Sequence, residues 1–212
     1  MFNNDIYGRP VFTTIPVQNY VQPTAADSYP PNPFSTLMES LFLDEETADL
    51  LLEVGEGENK RQYFAHFVIL KKCAPDLASM CEGCDKSEPL CLPDVDPEVF
   101  LELLNYVYGG EVANDKWKGR HQDFIDAADK YGVVNLKLEA ETRYVNEDKI
   151  TVDNAVDRLL YADSKNCALL RERAIRFIMC NTTEVLSSES FHNFPKSESI
   201  VKEMLTIAGI FA

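Results

Sequence analysis

The chain has 212 residues, 45% of them hydrophobic, so it can bury one sizeable core and carry a small helical appendage. Its 20 basic and 35 acidic residues give a net charge of −15, which disfavours nucleic acid and anionic membranes as partners. No apolar run approaches the roughly 20 residues that a membrane-spanning helix needs, so we expect no membrane partner.

The first 33 residues are rich in proline, asparagine and threonine and end in a proline-dense stretch. Prolines at this density exclude helices and interior strands, so we predict a disordered or extended tail over residues 1–33. Its aromatic side chains are compatible with a short linear motif, and a solvated tail is the simpler alternative. The start lacks the apolar segment of a secretory signal, so we expect the six cysteines to be reduced thiols in the cytoplasm or nucleus.

The pattern changes at Phe34, where apolar residues begin to recur at regular spacing. Four of them fall on one face of a short predicted helix: Leu37, Met38, Leu41 and Phe42. Residues 49–54 and 62–66 then predict two strands, and the polar turn over residues 55–60 joins them into a β-hairpin.

Prolines divide the next part of the chain into short helices. A helix from Phe67 must end before Pro75, which suits the first turn of another helix. Residues 88–93 are long enough only for a brief strand. Residues 96–98 combine a capping carboxylate with proline and an acid in the first turn, so a helix starts there and ends at Gly109.

The rest of the chain is predicted to be helical, with Trp117 in a charged loop. Residues 124–131 form an apolar face that Gly132 breaks, and a further helix follows over residues 134–144. Later helical segments cover residues 151–162, 167–180 and 200–208, with a turn near Val185 and Leu186. The predicted fold class is therefore α+β, a small sheet surrounded by many helices.

Several short segments occur in a distinctive order and spacing: residues 49–54, 64–66, 69–70, 92–100, 106–110 and 127–137. Together they resemble the BTB/POZ domain, although each motif alone is weak. Residues 151–155, 160–164 and 170–178 resemble the helices after that domain in speckle-type POZ protein and its MATH-BTB relatives. The resemblance implies a tail over residues 1–33, a BTB/POZ domain over 34–146 and an all-helical extension over 147–212, called the three-box or BACK-like region.

The resemblance also implies a function. BTB domains form homodimers, chiefly through the first helix, and many bind the N-terminal domain of cullin-3 and so join a substrate receptor to a RING-type ubiquitin ligase. We therefore expect a homodimeric cullin-3 adaptor with an unknown protein substrate, and not an enzyme. The alternative is a dimerisation scaffold without ligase association.

The four apolar residues of the first predicted helix lie where the family has its dimer helix. That helix has no obvious cover within the chain, and isologous pairing would bury it; packing on its own core is the alternative. Asp49 and His66 fall where the family has a motif Asp and His, and Asp49 is expected at the dimer interface. Many relatives carry a basic residue directly after the His, but this chain has Phe67, so structural hydrogen bonding is the alternative role for both.

The cullin contact in relatives uses a hydrophobic-any-Glu motif after the third helix. Met80, Cys81 and Glu82 match that motif, although the segment that follows is shorter than in speckle-type relatives. Tyr131 lies where a cullin-facing aromatic residue occurs, and burial between helices is its alternative. The expected cullin-binding residues are therefore Met80, Glu82 and Tyr131.

No catalytic, cofactor or metal site is expected. Cys81 and Cys84 form one C-x-x-C pair, but a zinc site needs a second matching pair. Cys73 in a predicted helix and Cys91 in a predicted strand suit small buried thiols. The three histidines lie in no nucleophile or metalloprotease motif, so an enzyme or metalloprotein is the most distant reading.

Overall fold

Alternating burial shapes the first hairpin of the computed structural model, which describes residues 32–192. Strands β1 (Leu50–Val54) and β2 (Arg61–Ala65) pair antiparallel, so that Leu50 lies opposite Ala65 and Val54 opposite Arg61. Every second residue of β1 is buried, because successive side chains point to opposite faces of a sheet. The predicted hairpin is confirmed, and a short 3-10 turn lies within its loop.

A third strand completes a mixed sheet in the order β2-β1-β3. Strand β3 (Leu90–Leu92) runs parallel to β1. A parallel neighbour requires a crossover connection, which two helices supply: α2 (Phe67–Cys73) and α3 (Pro75–Met80). The sequence predicted the brief strand but not its direction.

The remaining helices of this part of the chain are α1 (Pro33–Leu41), α4 (Pro97–Val107), α5 (Asn114–Trp117), α6 (His121–Tyr131) and α7 (Val134–Glu147). The predicted start of α4 is confirmed, since the Asp96 carboxylate accepts the backbone N–H groups of Glu98 (2.9 Å) and Val99 (3.1 Å). Gly132 ends α6 with a φ of +74°, a left-handed conformation that glycine adopts without strain.

Four further helices follow: α8 (Ala155–Ser164), α9 (Ala168–Cys180), α10 (Thr182–Leu186) and α11 (Glu189–His192). The predicted tail up to residue 31 and the predicted helix over residues 200–208 lie outside the described residues. Within residues 32–192, no helix is long and apolar enough to cross a membrane.

Trp117 overturns one expectation, because it lies in the core and not in a charged loop. The indole ends α5 with 0% relative exposure, and its Nε1 donates to the carbonyl oxygen of Val112 at 3.2 Å. The ring packs on Phe124 with 4.6 Å between the centroids. The apolar area of an indole outweighs the polarity of its sequence neighbours, provided that its N–H finds an acceptor.

Candidate interaction surface

Helix α1 packs only partly against the core. None of its residues is fully buried, and Leu37 is 52% exposed. Met38, Leu41 and Phe42 are partly buried against the core, and the Phe42 ring meets the Tyr108 ring edge-on at 5.8 Å. Of the four apolar residues predicted at the dimer interface, three therefore pack partly on their own chain, and Leu37 projects into solvent.

Asp49 makes the structural hydrogen bonds that the sequence offered as an alternative role. Its carboxylate accepts the backbone N–H of Phe67 at 2.7 Å, at the start of α2, and its own N–H donates to the carbonyl oxygen of Ala65. A carboxylate at this point satisfies a helix amide that has no partner within the helix. Asp49 is also exposed, so it lies where a partner can reach it.

His66 is buried in a chain of hydrogen bonds. The Tyr108 hydroxyl accepts the His66 backbone N–H at 2.9 Å and lies 2.8 Å from Nδ1. Nε2 lies 2.9 Å from the Thr47 hydroxyl, which in turn donates to Asp44. Burial raises the pKa of Tyr108 to about 12, so this hydroxyl remains a donor at neutral pH.

This chain of hydrogen bonds fixes the segment between α1 and β1 to the end of α4. The Thr47 hydroxyl lowers the pKa of Asp44, which keeps the last acceptor charged. Tyr108 belongs to a family-like motif, but sequence reasoning assigned no role to it or to Thr47. The signal in the sequence was a histidine at the end of an apolar strand. If such a side chain is buried, its two ring nitrogens need hydrogen-bond partners.

Met80 and Glu82 lie at the exposed end of α3. Met80 is 41% exposed and Glu82 is exposed as well, whereas Cys81 between them is buried. Burial raises the pKa of the Cys81 thiol to about 12, so it is not a reactive thiolate. Glu82 and Asp49 line the same shallow depression of about 410 Å³, so the structure brings one predicted dimer residue beside one predicted cullin residue.

Tyr131 is buried, which contradicts its predicted exposure to a partner. Its relative exposure is 0%, and its ring meets the Phe100 ring edge-on at 5.5 Å. Burial raises the pKa of Tyr131 to about 12. The helix face that carries Tyr131 packs against α4, so the alternative of burial between helices holds, and Tyr131 leaves the candidate cullin surface.

Two cysteines also differ from expectation, since Cys73 and Cys91 are exposed and not buried. Cys73 occupies the outer side of the last turn of α2, and Cys91 points away from the core between two more buried residues of β3. The Cys91 thiol donates to the Glu53 carboxylate at 3.2 Å. Among residues 32–192, no three His, Cys, Asp or Glu side chains are arranged to hold a metal ion.

A family model for the BTB/POZ domain matches residues 38–147, the segment that contains the mixed sheet and helices α2 to α7. The chain belongs to the BTB/POZ domain family. The predicted α+β fold class is thereby confirmed. Membership in this family implies that the chain is a protein-interaction module. The half-exposed helix α1 and the exposed end of α3 are consistent with that role.

Three curated relatives are similar to the chain over 139 residues. They are the TD and POZ domain-containing proteins 1-like, 1 and 3 of Mus musculus, with 28%, 28% and 29% identity. Each alignment covers 64% of this chain and 38% of the relative, so the chain matches well under half of those proteins.

The helices after the BTB/POZ match are fastened to it by a buried carboxylate. Glu141 of α7 is 3% exposed and accepts the backbone N–H groups of Leu169 (2.7 Å) and Leu170 (3.0 Å) at the start of α9. The carboxylate thereby satisfies two helix amides and complements the positive end of the helix dipole.

A second attachment lies on α6. The Tyr161 hydroxyl of α8 donates to the Asp126 carboxylate at 2.9 Å, and Lys165 pairs with Asp126 at the same distance. Helix α6 also contacts α3, so it connects the Met80 region with the first helix of the extension. Sequence reasoning missed Glu141, Tyr161 and Asp126, because such residues in a helix usually denote a solvated face.

Proposed function

We propose that this protein is a homodimeric adaptor that links a protein substrate to a cullin-3 RING ubiquitin ligase. One observation carries the proposal: a BTB/POZ domain leaves the apolar helix α1 without a single fully buried residue. An amphipathic helix in this position gains most by packing against another protein. Such a function places the protein in the cytoplasm or nucleus.

The dimer contact is proposed on α1. Isologous pairing of two copies would bury Leu37 together with the exposed sides of Met38, Leu41 and Phe42. Asp49, just before β1, caps the start of α2 with its side chain, and we propose that it borders this contact. With Phe67 where many relatives have a basic residue, its carboxylate is held by a backbone N–H within the chain.

The cullin-3 contact is proposed on the end of α3 and on the helical extension. Met80 and Glu82 are exposed there, as a hydrophobic-any-Glu motif requires. The contacts of α6 with both α3 and α8 support a single surface shared by the BTB/POZ domain and a three-box-like pair, α8 and α9. This pair is the part of the chain that resembles speckle-type POZ protein.

A pull-down of the N-terminal domain of cullin-3 with the full-length chain tests the ligase part of the proposal. Met80→Asp places a charge in the contact and should weaken binding at least about tenfold, and Glu82→Lys should do the same. Val68→Asp on α2 introduces the same charge at an exposed position outside the proposed contact and serves as the control. Absence of binding by the wild type, or equal binding by Met80→Asp, would leave the scaffold alternative.

A further inference from the structure

Helix α7 carries apolar residues on its solvent side. Val134 is 65% exposed and Leu138, one turn later, is 52% exposed. Val145 continues the row and is partly buried. These three lie on one face of α7 and form a stripe about 17 Å long, which the buried carboxylate of Glu141 interrupts between Leu138 and Val145. Scattered exposed apolar residues need no explanation, but an aligned row on one helix does.

The stripe ends in a groove between α7 and α9. The groove holds about 250 Å³ and is lined by Thr142, Val145, Asn146, Leu169, Glu172, Arg173 and Arg176. Leu169 is 47% exposed there, so the apolar surface passes from α7 onto α9. The Glu141 carboxylate fixes the start of α9 against α7, so the groove is formed before any ligand arrives.

The charge of the groove is opposite to that of the chain. Arg173 and Arg176 lie on its wall, although the whole protein carries a net charge of −15. Arg176 pairs with Glu172, but both side chains are more than half exposed, so this pair contributes little and can exchange for another carboxylate. Arg173 is exposed and forms no ion pair with any residue between 32 and 192.

We infer that the groove between α7 and α9 binds an acidic amphipathic helix of a partner protein. Its apolar side chains contact Val145 and Leu169 and continue toward Leu138, and its Asp or Glu residues meet Arg173 and Arg176. Charge decides between occupants: the whole chain carries a net charge of −15, whereas the groove is lined by two arginines and one carboxylate, Glu172, so an acidic segment is attracted there. No residue of α1 or α3 lines the groove, although Val134 borders a depression shared with Met38 and α9 belongs to the helix pair of the proposed cullin-3 contact.

Two synthetic peptides test the inference with the full-length protein. Each is a stapled helix of about 14 residues with leucines at i, i+3, i+4 and i+7; one ends in four glutamates and the other in four lysines. Fluorescence anisotropy should show saturable binding of the acidic peptide and at least about tenfold weaker binding of the basic one. Raising the salt concentration should reduce the difference, because the arginines are exposed.

Variants locate the binding. Leu169→Asp should weaken binding of the acidic peptide at least about tenfold, and so should the double variant Arg173→Glu, Arg176→Glu. The double variant should also improve binding of the basic peptide. Val68→Asp and Arg61→Glu, both exposed and on other elements, are matched controls that should change nothing. Melting curves confirm that each variant is folded, and Met80→Asp should bind the acidic peptide like the wild type.

Three outcomes would overturn the inference. They are no binding of either peptide, equal binding of both, and binding that the Leu169 and arginine variants leave unchanged. A solution mass that rises with concentration in the wild type and not in Leu169→Asp would instead assign the groove to a second copy of the chain.

Discussion

The BTB/POZ segment and the helical extension differ in how they are held together. The main core contains large fully buried aromatic side chains, among them Trp117, Tyr108, Phe100 and Phe124. As far as residue 192, the extension has a second core of six buried residues, and none of these is aromatic: Ala155, Val156, Leu159, Ala174, Ile178 and Val185. A core this small buries little apolar area, so the extension depends on its attachment to the BTB/POZ segment.

Apolar and polar contacts both supply that attachment, since Ala162, Cys167 and Leu170 of the extension are buried in the main core. The Glu141 carboxylate holds the start of α9, and the Arg158 guanidinium of α8 lies over the Tyr144 ring of α7 at 4.2 Å. Lys137 of α7 also donates to the carbonyl oxygen of Lys165 just after α8. The comparison teaches that the BTB/POZ segment is stabilised by its own interior, whereas the extension relies on a few residues buried in that interior together with hydrogen bonds and stacking against α7.

The largest expected effect is in the main core. Phe100→Ala removes a fully buried ring that packs against both Tyr63 and Tyr131, and should cost about 3–5 kcal/mol of unfolding free energy in urea titrations. Phe34→Ala on α1, where the ring is 64% exposed, is the matched control and should cost far less. Equal losses in the two variants would remove the distinction between core and surface.

A smaller and local effect is expected in the extension. Leu159→Ala should cost about 2–4 kcal/mol within the second core, where the side chain is 1% exposed. Hydrogen exchange should become faster in α8 to α10 and change much less in β1, because Leu159 belongs to the second core and not to the main one. If protection falls equally in β1, the two regions unfold as one unit and the comparison fails.

The smallest effect concerns the cap of α4. Burial raises the pKa of Asp96, but the hydrogen bond and charge of Arg120 and the two helix amides outweigh it, so the net pKa is lowered. A carboxyl whose pKa is lower in the folded state stabilises the fold above the unfolded pKa of about 3.9, and this stabilisation is lost as the pH falls through the folded value. Asp96→Ala should therefore cost about 1 kcal/mol at pH 7.

Urea titrations at several pH values check the Asp96 prediction. The difference between wild type and Asp96→Ala should shrink as the pH falls below the unfolded pKa of about 3.9 and through the lower folded value. A difference that stays constant over that range would mean that the charge of Asp96 plays no part in the cap.

Much of the fold followed from local signals, because these act over a few residues. The hairpin, the Asp96 cap and the Gly132 break were all predicted from spacing and turn chemistry. Trp117 was misplaced because its burial depends on Phe124 and Val112, which no local pattern connects with it. The parallel direction of β3 likewise depends on the whole crossover through α2 and α3.

The candidate site was less predictable than the fold. The exposure of Leu37 and Met80 agrees with an amphipathic helix and a motif at a helix end. Tyr131 is buried, because a position in a motif does not determine which side of a helix packs against its neighbours. The seam residue Glu141 could not be anticipated, since a glutamate in a helix is usually solvated and only the tertiary structure brings the start of α9 to it.

The central claim is that the exposed face of α1 joins two copies of the protein. Light scattering of the full-length chain over a range of concentrations measures this directly. We predict a mass near twice 24.0 kDa for the wild type and a monomer for Leu37→Asp, whose charge would lie in the contact. A wild-type mass of 24.0 kDa at every concentration would contradict the claim.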